Sequence, residues 1–292
     1  MQGPPAIGIR GPGNGPWTPA ESIEHMDRHG ITTAISSVTV PAEPFYDGTE
    51  KSRSIARGVN EYGAKMVVDY PGRFGLFAAL PMPDIEGSLK EIEYSFETLK
   101  ADGICIFSST PGKWPGDPFF HPTWEELNRR KAVVFIHPTT PNCCKNLALG
   151  LPDYMLEFDF DTTRAVASLL VNGVLTKYPD IRWIVNHSGA CVPVLAGRIQ
   201  DRVVRNNPDL YPKGALEKLK KLYFEVAHAT FPWPMAAMMT FAPMSQILFG
   251  TDFPLEPMET TIEQIPGLGL SSQFIRAMER ENAERLFPRF KK

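Results

Sequence analysis

The sequence predicts an α/β fold in which parallel strands curl toward a barrel, and three observations carry that expectation. Short apolar runs alternate with helical stretches along the whole chain. The runs are nearly continuous in hydrophobicity, as parallel strands covered on both faces are. No glycine-rich GxGxxG or GxxxxGK(S/T) loop is present, so a nucleotide-binding sheet loses its best support. A chain of 292 residues, 43% hydrophobic and 22% charged, is long for an ordinary domain but common for an α/β barrel. No repeat, low-complexity tract or linker divides it. Residues 1–292 therefore read as one domain, opening on an irregular Gly/Pro-rich leader at 1–16.

The elements follow in order. Thr18 suits an N-cap, Pro19 the first turn, Glu21 a capping box and Gly30 the stop of a first helix. A β-branched run at 31–40 reads as a buried strand. A helix at 51–68, a strand at 74–79, a helix at 86–99 and a strand at 103–107 come next. Thr123 and Glu126 form a second capping box, opening a helix that ends near Arg130. The apolar run 132–137 (AVVFIH) is a strand ending in a histidine. After a helix at 162–176, the strand at 181–187 (IRWIVNH) ends in another. A helix at 192–205, a strand at 222–227, a helix at 233–241 and a strand at 246–251 lead to helical segments at 260–264 and 271–286. The count is about seven strands, whereas a closed barrel of this type has eight. The expectation is a (β/α)₈ TIM-type barrel lacking its first strand, whose place would precede Pro4.

Composition excludes several partners. A formal net charge of −3 offers no electrostatic attraction to nucleic acid or an anionic membrane. No apolar run approaches the roughly 20 residues needed to span a bilayer. The leader has no apolar core segment, so it does not read as a signal peptide. Cys105, Cys143, Cys144 and Cys191 lack CxxC spacing and suit reduced, buried thiols in a cytoplasmic protein.

In barrels of this kind the catalytic groups stand at the C-terminal ends of the strands. His137, His187 and Asp252 each end, or just follow, a different apolar strand. One such histidine is ordinarily a core or edge residue, but three at equivalent strand ends point to a shared site. Imidazole and carboxylate together suit a divalent metal, Zn²⁺ first and Mn²⁺ or Fe²⁺ next. His228 follows the strand YFEVA and also falls at the mouth, where it can line a substrate pocket. Phe231, Trp233 and Phe253 could supply an apolar wall for an aromatic ring. His25 and His29 lie i, i+4 on the first helix without the glutamate of HExxH, and read as a solvated face. His121 reads as a loop residue, and Cys143 and Cys144 as packing.

The words VFIHPTTP, VNHSGACVPVLAGRI and ILFGTDFP resemble three signatures of the amidohydrolase-2 family. The resemblance extends to RFGLFAALPMPDIEGSL, LNRRKAVVFIHP and NAERLFP, and so covers nearly the whole chain from Trp17. Within the family it is most similar to 6-methylsalicylate decarboxylase-like proteins, which resemble γ-resorcylate and aminocarboxymuconate semialdehyde decarboxylases. The resemblance implies that His137 and Asp252 are metal ligands and that His187 is an acid/base beside the metal. It implies that Asp252 can also handle a proton. Arg198 matches an arginine that in some relatives crosses a dimer interface to the substrate carboxylate, so a homodimer is implied as well.

Two departures stand out. The HxH or ExH pair of the first strand has no counterpart, and the usual His-x-Gly-Gly reads His187-Ser188-Gly189-Ala190. His137 and Asp252 alone fall short of the three protein ligands normal for catalytic zinc. The function expected is metal-dependent, non-oxidative decarboxylation of a small ortho-hydroxylated aromatic acid such as 6-methylsalicylate. Two alternatives are metal-assisted hydrolysis of an amide, ester or lactone, and a catalytically degenerate partner subunit.

Overall fold

A computed structural model describes residues 17–39, 42–144 and 150–291. The leader at 1–16 and the end of the first expected strand, at 40, lie outside the described residues. Seven strands form one sheet: β1 (Ala34–Ser36), β2 (Phe74–Ala79), β3 (Gly103–Phe107), β4 (Val133–His137), β5 (Arg182–Val185), β6 (Tyr223–Glu225) and β7 (Ile247–Leu248). Each pairs in parallel with the next, so order in space is order in sequence. Among the described residues, β1 and β7 are the two edges of this α/β sheet.

The helices are α1 (Pro19–Arg28), α2 (Glu50–Asp69), α3 (Ile85–Glu97), α4 (His121–Arg129), α5 (Glu157–Val171), α6 (Val174–Lys177), α7 (Val192–Asn206), α8 (Leu216–Leu219), α9 (Pro232–Phe241), α10 (Met258–Ile262), α11 (Ser272–Arg276) and α12 (Asn282–Leu286). No helix among the described residues is long and apolar enough to cross a membrane. Thr18 caps α1 as its sequence suggests, accepting the Glu21 N–H at 3.2 Å.

The strands' alternation sorts side chains into two layers. Ile104, Ile106, Val134, Ile136, Trp183, Val185 and Phe224 face outward into a core shared with Trp124, Leu127, Leu169 and Leu170 of the helices. Each fully buried Ile or Leu there contributes about 1.5–3 kcal/mol by leaving water. Phe77, Cys105, Val133 and Ile184 face the other way and pack with Leu286, the last residue of α12, and Phe287 just after it. Because side chains two apart share a face, His137 and Glu225 lie on that inner face at the C-terminal ends of β4 and β6.

Several expectations need correction. β1 is three residues long, far shorter than the run at 31–40. Helix α4 begins at His121 with Pro122 in its first turn, so His121 is not a loop residue. Thr123 is buried inside that helix and caps nothing, while Glu126 grips Arg129 and Arg130. The helix expected at 162–176 starts earlier and breaks at Gly173, whose φ of +72° is left-handed. The last helix is divided by a π turn at Ala277–Glu281.

Candidate active site

Each strand of the inner face hands over to a loop at the same rim, and there the site assembles. His137 is the last residue of β4; His187, His228 and Asp252 stand two to four residues beyond the ends of β5, β6 and β7. The last three share a backbone device: φ is +49° at His187, +55° at His228 and +57° at Asp252. Left-handed backbone at a non-glycine residue costs on the order of 1–3 kcal/mol and persists where the surroundings enforce it. Here it ends the extended run abruptly and gathers the three side chains. One ligand atom from each lies within 4.8 Å of the other two. His228 Nε2 is 3.0 Å from Asp252 Oδ2, and the His187 and His228 rings meet edge to face at 5.0 Å. Gly189, in the turn after His187, has φ +76°, and a Cβ there would strike the Phe224 ring.

The electrostatics differ among the four residues. Burial pushes the His137 pKa down, and the charge of His187 adds to that effect. Its Nδ1–H donates to Pro138 O at 2.8 Å, which leaves Nε2 bare to accept the Thr39 hydroxyl at 3.0 Å. For His187, burial is the largest single influence and works downward, yet the carboxylates of Asp159, Glu225 and Asp252 outweigh it and hold the pKa up. Its Nδ1 lies 3.0 Å from Asn186 Nδ2 and 3.5 Å from Asp159 Oδ1. Burial works to raise the Asp252 pKa, but the His228 hydrogen bond and the neighbouring imidazoles hold it below the ordinary value. Asp252 is thus an anion beside two or three imidazoles, which is the donor chemistry a divalent cation takes.

His187, His228 and Asp252 fit such an ion as they stand, in number and spacing. His137 is close enough to feel the Asp252 and His187 charges, but it is not one of the three within 4.8 Å. Arg198 is exposed on α7. Phe231 and Trp233 stack on each other, rings 5.8 Å apart and 5° from parallel, with Trp233 exposed. Phe253 instead packs on His25 at 4.9 Å. His25 and His29 do not form a solvated face: both are mostly covered, and His29 Nε2 lies 2.8 Å from Glu259 Oε1. All four cysteines are free thiols. Burial pushes Cys144 up to about 12.

Two carboxylates escaped sequence reasoning. Glu225 ends β6, accepts the His187 and Ala227 N–H groups at 2.9 and 3.0 Å, and has its pKa pushed up by burial. Asp161 is fully buried in α5. It accepts hydrogen bonds from Ser108 Oγ, Ser109 Oγ and Trp114 Nε1 at 2.5, 2.7 and 2.7 Å. An acid inside the run LYFEVA was the available signal for Glu225, since carboxylates are rarely buried without partners.

A model of the amidohydrolase family matches residues 12–289. The decarboxylase yanB of Aspergillus niger is 35% identical over 94% of this chain and 79% of its own length. The 6-methylsalicylic acid decarboxylase of Penicillium expansum is 32% identical over 94% of this chain and 88% of its own. The crystal structure of an amidohydrolase II superposes with a TM-score of 0.87 at 26% identity, covering 96% of this chain and 92% of that one.

Proposed function

This chain belongs to the amidohydrolase family, and on that premise we propose that it is a metal-dependent decarboxylase of small aromatic acids carrying an ortho hydroxyl, 6-methylsalicylate among them. The observation that carries the reading is the gathering of His187, His228 and Asp252 at the sheet's C-terminal rim. It offers a cation the Asp252 and His228 side chains with an acid/base, His187, directly beside them, in a chain similar throughout to decarboxylases.

Asp252 and His228 would hold the ion together with His137, whose unprotonated Nε2 would exchange the Thr39 hydroxyl for it. Zinc suits this imidazole and carboxylate set best, with manganese or iron next. When bound, a divalent ion orients the substrate's phenolic and carboxylate oxygens and offsets their charge. Loss of CO₂ from an aryl carboxylate requires a proton at the ring carbon that carried it. His187, its Nδ1 turned to Asn186 and Asp159, delivers that proton, or Asp252 does once it has taken one up. His228 also borders the substrate, and Arg198 meets the substrate carboxylate from the second copy of a homodimer. The groove that Pro193, Val194, Leu216 and Phe241 line on the same flank supports such a pairing, because Val194 is 73% exposed there.

The same premise gives the single domain its finer form. It is a (β/α)₈ barrel in which the place between β1 and β7 belongs to the strand that carries an HxH or ExH pair in the family. The free thiols support a reducing, cytoplasmic location.

The test is product analysis of the metal-supplemented protein with a panel of salicylates and with amide, ester and lactone substrates. CO₂ and the matching phenol are the expected products. Hydrolysis of a lactone or amide, with no CO₂ from any acid, would assign the hydrolase chemistry instead. Absence of both activities in a metal-loaded protein would assign the degenerate partner role.

A further inference from the structure

The three left-handed residues of the site sit around one side chain. Glu225 Oε1 accepts the backbone N–H of His187 at 2.9 Å. Its Oε2 accepts the N–H of Ala227 at 3.0 Å, directly before His228. The same Oε2 occupies the space beside Gly250, where any Cβ would overlap it outright. Gly250 lies two residues before Asp252. One carboxylate therefore touches the backbone at, or within two residues of, each of the positions whose φ is +49°, +55° and +57°.

We propose that Glu225 is the positioning residue of this site. It fixes the turns after β5, β6 and β7 so that His187, His228 and Asp252 converge. The physical case rests on what a carboxylate uniquely offers: two acceptor oxygens on one planar group, placed by β6 between two turns that each present an N–H. Backbone in the left-handed region is held only where surroundings outweigh its cost, and a backbone N–H turned into the interior needs an acceptor, which the carboxyl oxygens supply. Gly250 is part of the device, because its missing side chain leaves the slot that the carboxylate fills. Substituting Glu225 by glutamine keeps the shape but replaces one acceptor oxygen with an NH₂ that faces a donor, so one turn loses its anchor.

The inference rests on the reading of His187, His228 and Asp252 as the metal and proton site, and the experiment separates the two. Mn²⁺ is titrated into the protein and into Glu225→Gln, Gly250→Ala and Asp252→Asn, with thermal unfolding and steady-state decarboxylation measured in parallel. Residues that orient metal ligands typically cost 10–100-fold in metal affinity or activity when changed. Glu225→Gln should lose Mn²⁺ affinity and kcat by about that factor, with KM and melting temperature little changed. Gly250→Ala, which displaces the carboxylate without removing it, should give the same pattern and decides the matter if Glu225→Gln fails to fold. If the native protein binds Mn²⁺ and Asp252→Asn does not, yet both other variants keep native affinity and kcat, Glu225 has no positioning role. If the native protein binds no Mn²⁺, or Asp252→Asn binds it equally well, the metal-site reading falls and takes this inference with it.

Discussion

Asp161→Ala should destabilise the protein by about 2–3 kcal/mol, and Asp161→Asn by about 1 kcal/mol or less. The carboxylate is completely buried and receives three donors: Ser108 and Ser109 hydroxyls on Oδ2 and the Trp114 indole on Oδ1. Alanine orphans all three. The hydroxyls can rotate toward other acceptors, but the indole N–H cannot, and a buried unpaired donor costs about 1–3 kcal/mol. The vacated space adds a cavity contribution of about 24 cal/mol per Å³. Against these stands the relief of a buried charge, since burial already raises the Asp161 pKa. The net falls in the middle of the range. Asparagine keeps an oxygen for Trp114, and its amide donates to serine oxygens that need only rotate. The consequence reaches the site, because Ser108 Oγ accepts the Thr139 N–H at 3.0 Å and Ser108 N donates to His137 O at 2.7 Å. Urea unfolding followed by tryptophan fluorescence measures both variants. An alanine variant within about 0.5 kcal/mol of the native protein, or an asparagine variant as damaging as alanine, would refute the reasoning.

Asp252→Asn should abolish turnover and release the metal, whereas His187→Ala should lower kcat by roughly 10²–10⁴-fold while the metal stays bound; elemental analysis after dialysis alongside CO₂ release separates the two roles. Glu126 is held down to about 2 by Arg129 and Arg130, from an ordinary value of 4.5. Its folded pKa lies below its unfolded one, so its contribution is complete above about pH 4.5 and disappears as pH falls through about 2. Acid unfolding of Glu126→Gln should accordingly be less steep across that interval than that of the native protein, and an unchanged acid limb would show the pairing to be inert.

Much of the fold was legible in the sequence because parallel strands covered on both faces must be apolar along their length. The runs at 74–79 and 103–107 match β2 and β3 residue for residue. The strand-end rule likewise pointed to His137, His187 and Asp252, since a polar residue that closes an apolar run has only the rim to occupy. His228 was legible for the same reason. The expected packing of Cys144 agrees with its burial, whereas Cys143, expected to pack as well, is exposed.

Tertiary structure decided the rest. Thr123 and Glu126 satisfy the spacing of a capping box, but Pro122 and the preceding turn start α4 earlier and carry Thr123 into the core. His25 and His29 look solvated on a helix wheel, yet α10 brings Glu259 to them from 230 residues away along the chain. Glu225 reads as an anomaly in a strand until the turns of β5 and β6 supply its two donors and Gly250 its space. A continuous apolar run records a segment that leaves water on both faces, and so sequence alone located most of the strands and the rim at their ends. Which donor meets which buried acceptor depends on distances between segments far apart in sequence, and no local pattern encodes those.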